Sequence, residues 1–346
     1  MANSSDFSSE MTTLSRVENI TSFPIVEDLC AVESMPDFYT YTKAMGVYGR
    51  ILFAYGGGIV LFIFVIFFDT ARYIMIHSHS RYKTPTAIIL SVYPVAASVT
   101  YCAILVPRAY ILAETTTHLV FMCAMYQQFR LYIAYIGGEA EFIKRVEPDR
   151  FDPQVGPCCC WPCCFFLPRL TVNKRNMTLL RVLVIQLPVV QGVLYMIHLT
   201  LWAERQESYR VNFAFVQPFI IITIMFGIWA MKMVTKVLGN ILPDHRLLGK
   251  MYSLQLVNLL SQVLSLLLRI LLISNVIPCE PPLTVGLCAS LIYNSTMLTV
   301  IFILAYWSRS LYKKPLGDPI ITGSQEVGSC PTSIGSEIAN AIKYDL

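Results

Sequence analysis

Seven long stretches of this chain contain no Asp, Glu, Lys or Arg, and that feature leaves few structures open to it. They run Ile51–Phe68, Thr84–Pro107, Thr115–Phe129, Val182–Ala203, Val211–Met231, Met251–Leu268 and Pro281–Ser308. A helix crosses the hydrocarbon core of a bilayer with ~20 apolar residues. The third stretch is short but continues past Arg130 through 131–138, and the sixth continues past Arg269 to Ile277. Barrel strands do not fit, because the stretches lack apolar/polar alternation and exceed barrel-strand length. The expectation is an all-α polytopic membrane protein with seven transmembrane helices. Composition agrees, with 55% hydrophobic and 14% charged residues. A typical soluble domain carries roughly 25% charged residues, and so few charges would not cover this much apolar surface in water. The net charge of +4 cannot build a large basic patch, so no nucleic-acid partner is expected.

Orientation follows from the loops, since cytoplasmic segments carry the excess of Lys and Arg. With the N-terminus outside, the inner segments 69–84, 137–181, 232–250 and 308–346 hold 18 Lys and Arg and the outer segments hold 6. The expected plan is an extracellular region 1–46, a seven-helix domain 47–312 with a cytosolic Cys-rich loop 137–181, and a flexible cytosolic tail 313–346. Region 1–46 has no basic segment leading into an apolar one, so no cleavable signal peptide is visible. Its sequons place Asn3 and Asn19 outside, where glycosylation is possible, whereas the sequon at Asn176 falls inside. The plasma membrane is the expected location.

Five of the eleven cysteines cluster at Cys158, Cys159, Cys160, Cys163 and Cys164, within the largest cytosolic loop. That compartment is reducing, which argues against a disulfide framework. Thiols grouped beside aromatic residues and beside Arg169, Lys174 and Arg175 suit S-palmitoylation. Zinc binding through Cys160 and Cys163 and an unmodified apolar patch are the alternatives. No histidine lies in this loop, so no metal site is expected. Cys30 and Cys279 both fall outside, where a disulfide between them is possible; Cys288 is a competing partner.

Polar groups inside a membrane are costly and face a cavity or a partner. In the sixth stretch, Gln255, Asn258, Gln262, Ser265 and Arg269 are spaced 3, 4, 3 and 4 and share one helix face. The third adds Gln127, Gln128 and Arg130, and the fourth adds Gln191, Tyr195 and His198. Interhelical hydrogen bonds of ~1 kcal/mol each explain such groups; a solute path lined by Gln127, Arg130, His198 and the sixth-helix stripe is the sharper expectation. No carboxylate lies within any uncharged stretch, and Glu114 falls at a helix end. Two arginines without carboxylates suit an amphipathic organic anion better than proton or sodium coupling. No phosphate-binding glycine loop supports ATP-driven pumping, and no internal repeat supports an inverted-repeat carrier. Gly56-Gly57-Gly58 reads as a close-packing surface. The chain is not expected to be an enzyme or to need a cofactor.

The residues resemble those of the organic solute transporter alpha subunit family. The resemblance rests on the Gly-Pro-Cys-Cys-Cys run at 156–160, Val106-Pro107-Arg108 with Glu114 beyond it, and Gly137-Gly138-Glu139. The basic run from Pro168-Arg169 to Arg175 and Cys279 before Pro281-Pro282 add to it. It implies facilitated, bidirectional movement of organic anions such as bile acids and steroid sulfates, a single-span beta subunit, and a lipidated cysteine cluster. Two alternatives have different signatures. A seven-helix receptor is disfavoured, because the third helix ends in Gly-Gly-Glu rather than Asp-Arg-Tyr and the seventh lacks Asn-Pro-x-x-Tyr. A non-transporting, palmitoylated organiser of trafficking or signalling would need only the acylated loop and tail.

Overall fold

The computed structural model describes residues 38–146, 150–151, 170–204, 206–242, 246–274 and 284–313. Among them seven helices of 26 to 40 residues dominate: α1 Phe38–His77, α2 Ser80–Leu105, α3 Tyr110–Tyr135, α5 Lys174–Glu204, α6 Gln206–Ile241, α7 Leu247–Ile273 and α8 Val285–Tyr312. An eight-residue helix, α4 Glu139–Val146, follows α3. A two-residue antiparallel pair, β1 Arg150–Phe151 with β2 Leu170–Thr171, ties the base of the cysteine-rich segment. Cys158, Cys159, Cys160, Cys163, Cys164, Cys30, Cys279, Asn3 and Asn19 lie outside the described residues.

Each uncharged stretch sits within one of these helices, except that Val106 and Pro107 lie beyond the end of α2, Thr284 caps α8, and residues 281–283 lie outside the described residues. Six of the helices are long and apolar enough to cross a membrane. The seventh, α3, is long enough at about 39 Å but carries Glu114, His118, Gln127, Gln128 and Arg130. Position bears on how it carries them: α3 packs against α2, α5, α6 and α7, which bury Gln128 and half-bury His118 and Gln127, whereas Glu114 and Arg130 stay exposed. Bulky apolar side chains such as Leu61, Phe62, Val65, Leu259, Val263 and Leu266 point outward. An apolar belt of this kind needs lipid rather than water around it.

Helix boundaries are wider than the uncharged stretches. Helix α6 runs on to Ile241 and α7 starts at Leu247, so Lys232, Lys236 and Lys250 are helical. Gly46 breaks α1 with φ 51° and ψ −126°, separating a short lead-in helix from the long segment. The lead-in is pinned where Tyr41 donates to the Ile104 carbonyl at 2.8 Å. Gly137 and Gly138, with φ of 101° and 118°, make the turn from α3 into α4 that a side chain with a Cβ would strain. At Gly56 a Cβ would lie 2.7 Å from the Tyr101 ring, and Tyr101 donates to the Phe53 carbonyl at 3.0 Å. The glycine run therefore lets α1 approach α2 closely, as its composition suggests.

Candidate functional site: a one-ended cleft

Helices α2, α3, α7 and α8 form a cavity of about 70 Å³ at the end of the bundle where α2 stops and α3 starts. Its polar lining comes from Glu114 and His118 of α3, Asn258 and Ser261 of α7, and Tyr293 and Asn294 of α8. Val257, Met297 and Ala113 supply apolar wall. Glu114 is exposed and marks the mouth, whereas His118 turns inward. The His118 imidazole stacks on Tyr195 of α5 at 5.8 Å, and its buried Nδ1 has no hydrogen-bond partner. Asn294 donates to the Ser290 carbonyl at 2.8 Å and Ser261 donates to the Asn258 carbonyl at 2.8 Å. These lining groups are thereby held against their own helices. Hydroxyls, amides and one carboxylate around an apolar wall suit an amphipathic solute bearing hydroxyl groups.

The same four helices close at their other end. Lys250 of α7 is 2% exposed, and its Nζ lies 5.0 Å from the Tyr135 ring centroid and 4.9 Å from that of Tyr312. It also donates to the Tyr135 hydroxyl at 3.2 Å. Gln128 donates to the Tyr132 hydroxyl at 3.1 Å, which in turn donates to the Leu247 carbonyl at 2.6 Å. Tyr93 of α2 donates to the Ser253 carbonyl at 3.2 Å, and Tyr82 packs on Tyr135 at 5.1 Å. Outside this knot, Asp69 of α1 accepts from Arg309 at 2.9 Å and Lys313 at 2.7 Å.

Sequence spacing carries both ends. Along α3, Glu114, His118, Phe121, Met125, Gln128, Tyr132 and Tyr135 recur at intervals of 4 and 3, which is one helix face. The face is polar at the mouth, apolar at the buried Phe121 and Met125, and polar again at the knot. Lys250, Leu254, Val257 and Ser261 do the same on α7. The predicted α7 stripe is divided by this face: Asn258 lines the cavity, Gln255 is half-buried with its Nε2 unpartnered, Ser265 is half-buried and Gln262 is exposed. On α3, Gln127 is half-buried and Arg130 is exposed, away from the cavity. The side chains of His198 and Arg269 lie outside what the structure describes. Gln191 bridges α5 to α6, donating to Thr223 Oγ1 at 2.7 Å and the Ile220 carbonyl at 3.2 Å. Among the described residues no group of His, Cys, Asp and Glu is arranged to hold a metal ion.

A family model described as Organic solute transporter Ostalpha matches residues 52–316. The chain belongs to the organic solute transporter alpha family. The match takes in α1 from residue 52 and all of the other long helices, including the polar α3, with the cleft and the knot. Among curated relatives, the zebrafish (Danio rerio) organic solute transporter subunit alpha is 23% identical over 86% of this chain and 93% of its own length. The Drosophila melanogaster organic solute transporter alpha-like protein is 25% identical over 72% of this chain and 76% of its own. The bovine (Bos taurus) subunit alpha is 22% identical over 71% and 76% respectively. No solved structure matches the chain. With its family and its six helices of membrane-crossing length and hydropathy, it is a multi-pass membrane protein.

Proposed function

We propose that this protein is a membrane transporter of organic solutes, moving amphipathic organic anions of the bile-acid or steroid-sulfate type down their gradient in either direction. The observation that carries this reading is the one-ended cleft: four helices lined for a hydroxyl-bearing amphipath are open at one end and shut at the other. Alternating access needs such an arrangement, in which one set of helices exposes a path to only one side at a time. The family and the names of the curated relatives support a solute-transport role. The cavity, at about 70 Å³, is smaller than the 300–1,000 Å³ typical of drug-sized ligands. A steroid-sized solute therefore needs the buried Phe121, Met125 and Met297 contacts to part. No covalent step, cofactor or nucleotide enters this scheme.

In this reading all seven long helices span the plasma membrane with the N-terminus outside, in keeping with the 18-to-6 distribution of Lys and Arg. The cleft then opens outward and the knot faces the cytosol. The cysteine cluster is palmitoylated and holds its loop to the inner leaflet, where each buried methylene adds about 0.8 kcal/mol. A single-span beta subunit accompanies the chain. The test is flux of a labelled steroid sulfate in proteoliposomes, with and without a single-span partner. Saturable flux following the imposed gradient in both directions is expected; flux that needs ATP or a sodium gradient would contradict it.

A further inference from the structure

We infer that Lys250, caged by Tyr135 and Tyr312, is the station that binds the anionic head group of the solute when the closed end of the bundle opens. The inference rests on the transport reading above and deepens it. A lysine in a bundle interior is costly, and a buried cation is retained where a partner satisfies it. Among the described residues no carboxylate pairs with Lys250; its one hydrogen-bond acceptor is the neutral Tyr135 hydroxyl. The two tyrosine faces offset part of the cost by cation–π attraction, but an ammonium has three donors, and two remain without an acceptor here.

The surroundings are unsatisfied in a matching sense. Ser308 Oγ and the Tyr312 hydroxyl, four residues apart on α8, are buried without a hydrogen bond of good geometry, although the Tyr93 hydroxyl approaches Ser308. Both can donate to an oxygen-rich anion. An ammonium over the Tyr312 ring, with the hydroxyls of Ser308 and Tyr312 on one turn of α8, has the chemistry to bind a carboxylate, sulfonate or sulfate. Placement agrees with charge. Lys250 is on the α7 face that lines the cleft, eight residues before Asn258, or about 12 Å along the axis. The carboxylate of Glu114 sits at the opposite end of the same path and disfavours an anion there. A solute of steroid length thus lies with its hydroxylated body toward Asn258 and its head group toward Lys250.

The experiment uses the full chain in phosphatidylcholine vesicles, so that no anionic lipid competes. It compares a steroid sulfate with an uncharged steroid glycoside, by flux and by ligand-induced shift in melting temperature. In Lys250→Met, the half-saturating concentration for the sulfate rises at least tenfold, glycoside handling stays within twofold, and the ligand-free melting temperature holds or rises, because an unpaired buried charge is gone. Ser308→Ala, a small change that spares the cage, raises the sulfate value about threefold. An unchanged sulfate value in both variants overturns the inference. So does an equal loss for sulfate and glycoside, which would make the lysine a packing element. If the wild type binds the sulfate through Lys250 yet moves neither solute, the transport reading falls and the head-group site stands.

Discussion

The two ends of the α2–α3–α7–α8 bundle are built from the same helix faces and behave oppositely. At the mouth, Ser261 and Asn294 are short and tied to their own helices, and space is left between helices. At the knot, long aromatic side chains reach across: Tyr132 to Leu247, Tyr93 to Ser253, and Lys250 into the cage of Tyr135 and Tyr312. The two ends differ in side-chain reach rather than in polarity. Ser261 and Asn294, satisfied within their own helices, line a cleft, whereas Tyr132 and Tyr93, bonded to backbone of the next helix, shut the other end. Phe121 and Met125, both buried between the two ends, keep them apart.

The largest effect is expected from breaking the knot. Tyr132→Ala removes a fully buried ring and two hydrogen bonds, and such truncations cost ~3–5 kcal/mol. The melting temperature should fall by about 10 °C, with leakage of solute through the opened end. A stable, tight Tyr132→Ala protein would show that the knot is not the seal. At the mouth the balance reverses. Glu114→Gln should leave the melting temperature within about 2 °C, since Glu114 is exposed. It should raise the initial rate of steroid-sulfate entry at low concentration about fivefold, the equivalent of ~1 kcal/mol of repulsion relieved as the anion passes the mouth.

Smaller effects sharpen the contrast. Ser261→Ala should shift half-saturation by less than about threefold, because the hydroxyl already bonds to the Asn258 carbonyl and contributes ~1 kcal/mol or less to anything else. Asp69→Asn removes the acceptor of Arg309 and Lys313 at the closed end. Exposed pairs of this kind contribute about 0.2–1 kcal/mol, so the melting temperature should drop slightly at low salt and not at all at high salt. Smallest is the Glu141–Arg145 pair of α4, where the arginine's hydrogen bond holds the carboxyl below its usual range. A depressed carboxylate adds stability above its unfolded pKa and loses it as pH falls through the folded value. Arg145→Gln should therefore flatten the acid limb of the melting-temperature curve.

The helices were legible because uncharged runs of membrane length have one reading, and Gly56 because small residues in such a run imply close approach. The face each helix turns inward was harder to read. The stripe from Gln255 to Arg269 has helical spacing, yet the buried face of α7 runs through Lys250, Leu254, Val257 and Ser261, shared with the stripe only near Asn258. Which of two overlapping faces points inward depends on the neighbouring helices, and α7 alone does not carry that. Lys250 counts as a loop charge until α7 is seen to begin at Leu247. Glu114 counts as a helix end, although its spacing to His118, Phe121 and Met125 was a visible signal that it shares their face. Arg130 stood out as an intramembrane charge and proves exposed.

The most direct test of a cleft open at one end and sealed at the other is sided labelling. Ser261→Cys and Ser308→Cys, each in a background stripped of other reactive thiols, are exposed to a charged, membrane-impermeant thiol reagent. Without solute, Ser261→Cys should react from the side bearing the α3 N-terminus, and Ser308→Cys should stay protected from both sides. Adding a steroid sulfate should speed labelling of Ser308→Cys from the opposite side. Rapid labelling of Ser308→Cys without solute, or labelling of Ser261→Cys from the knot side alone, would contradict the account.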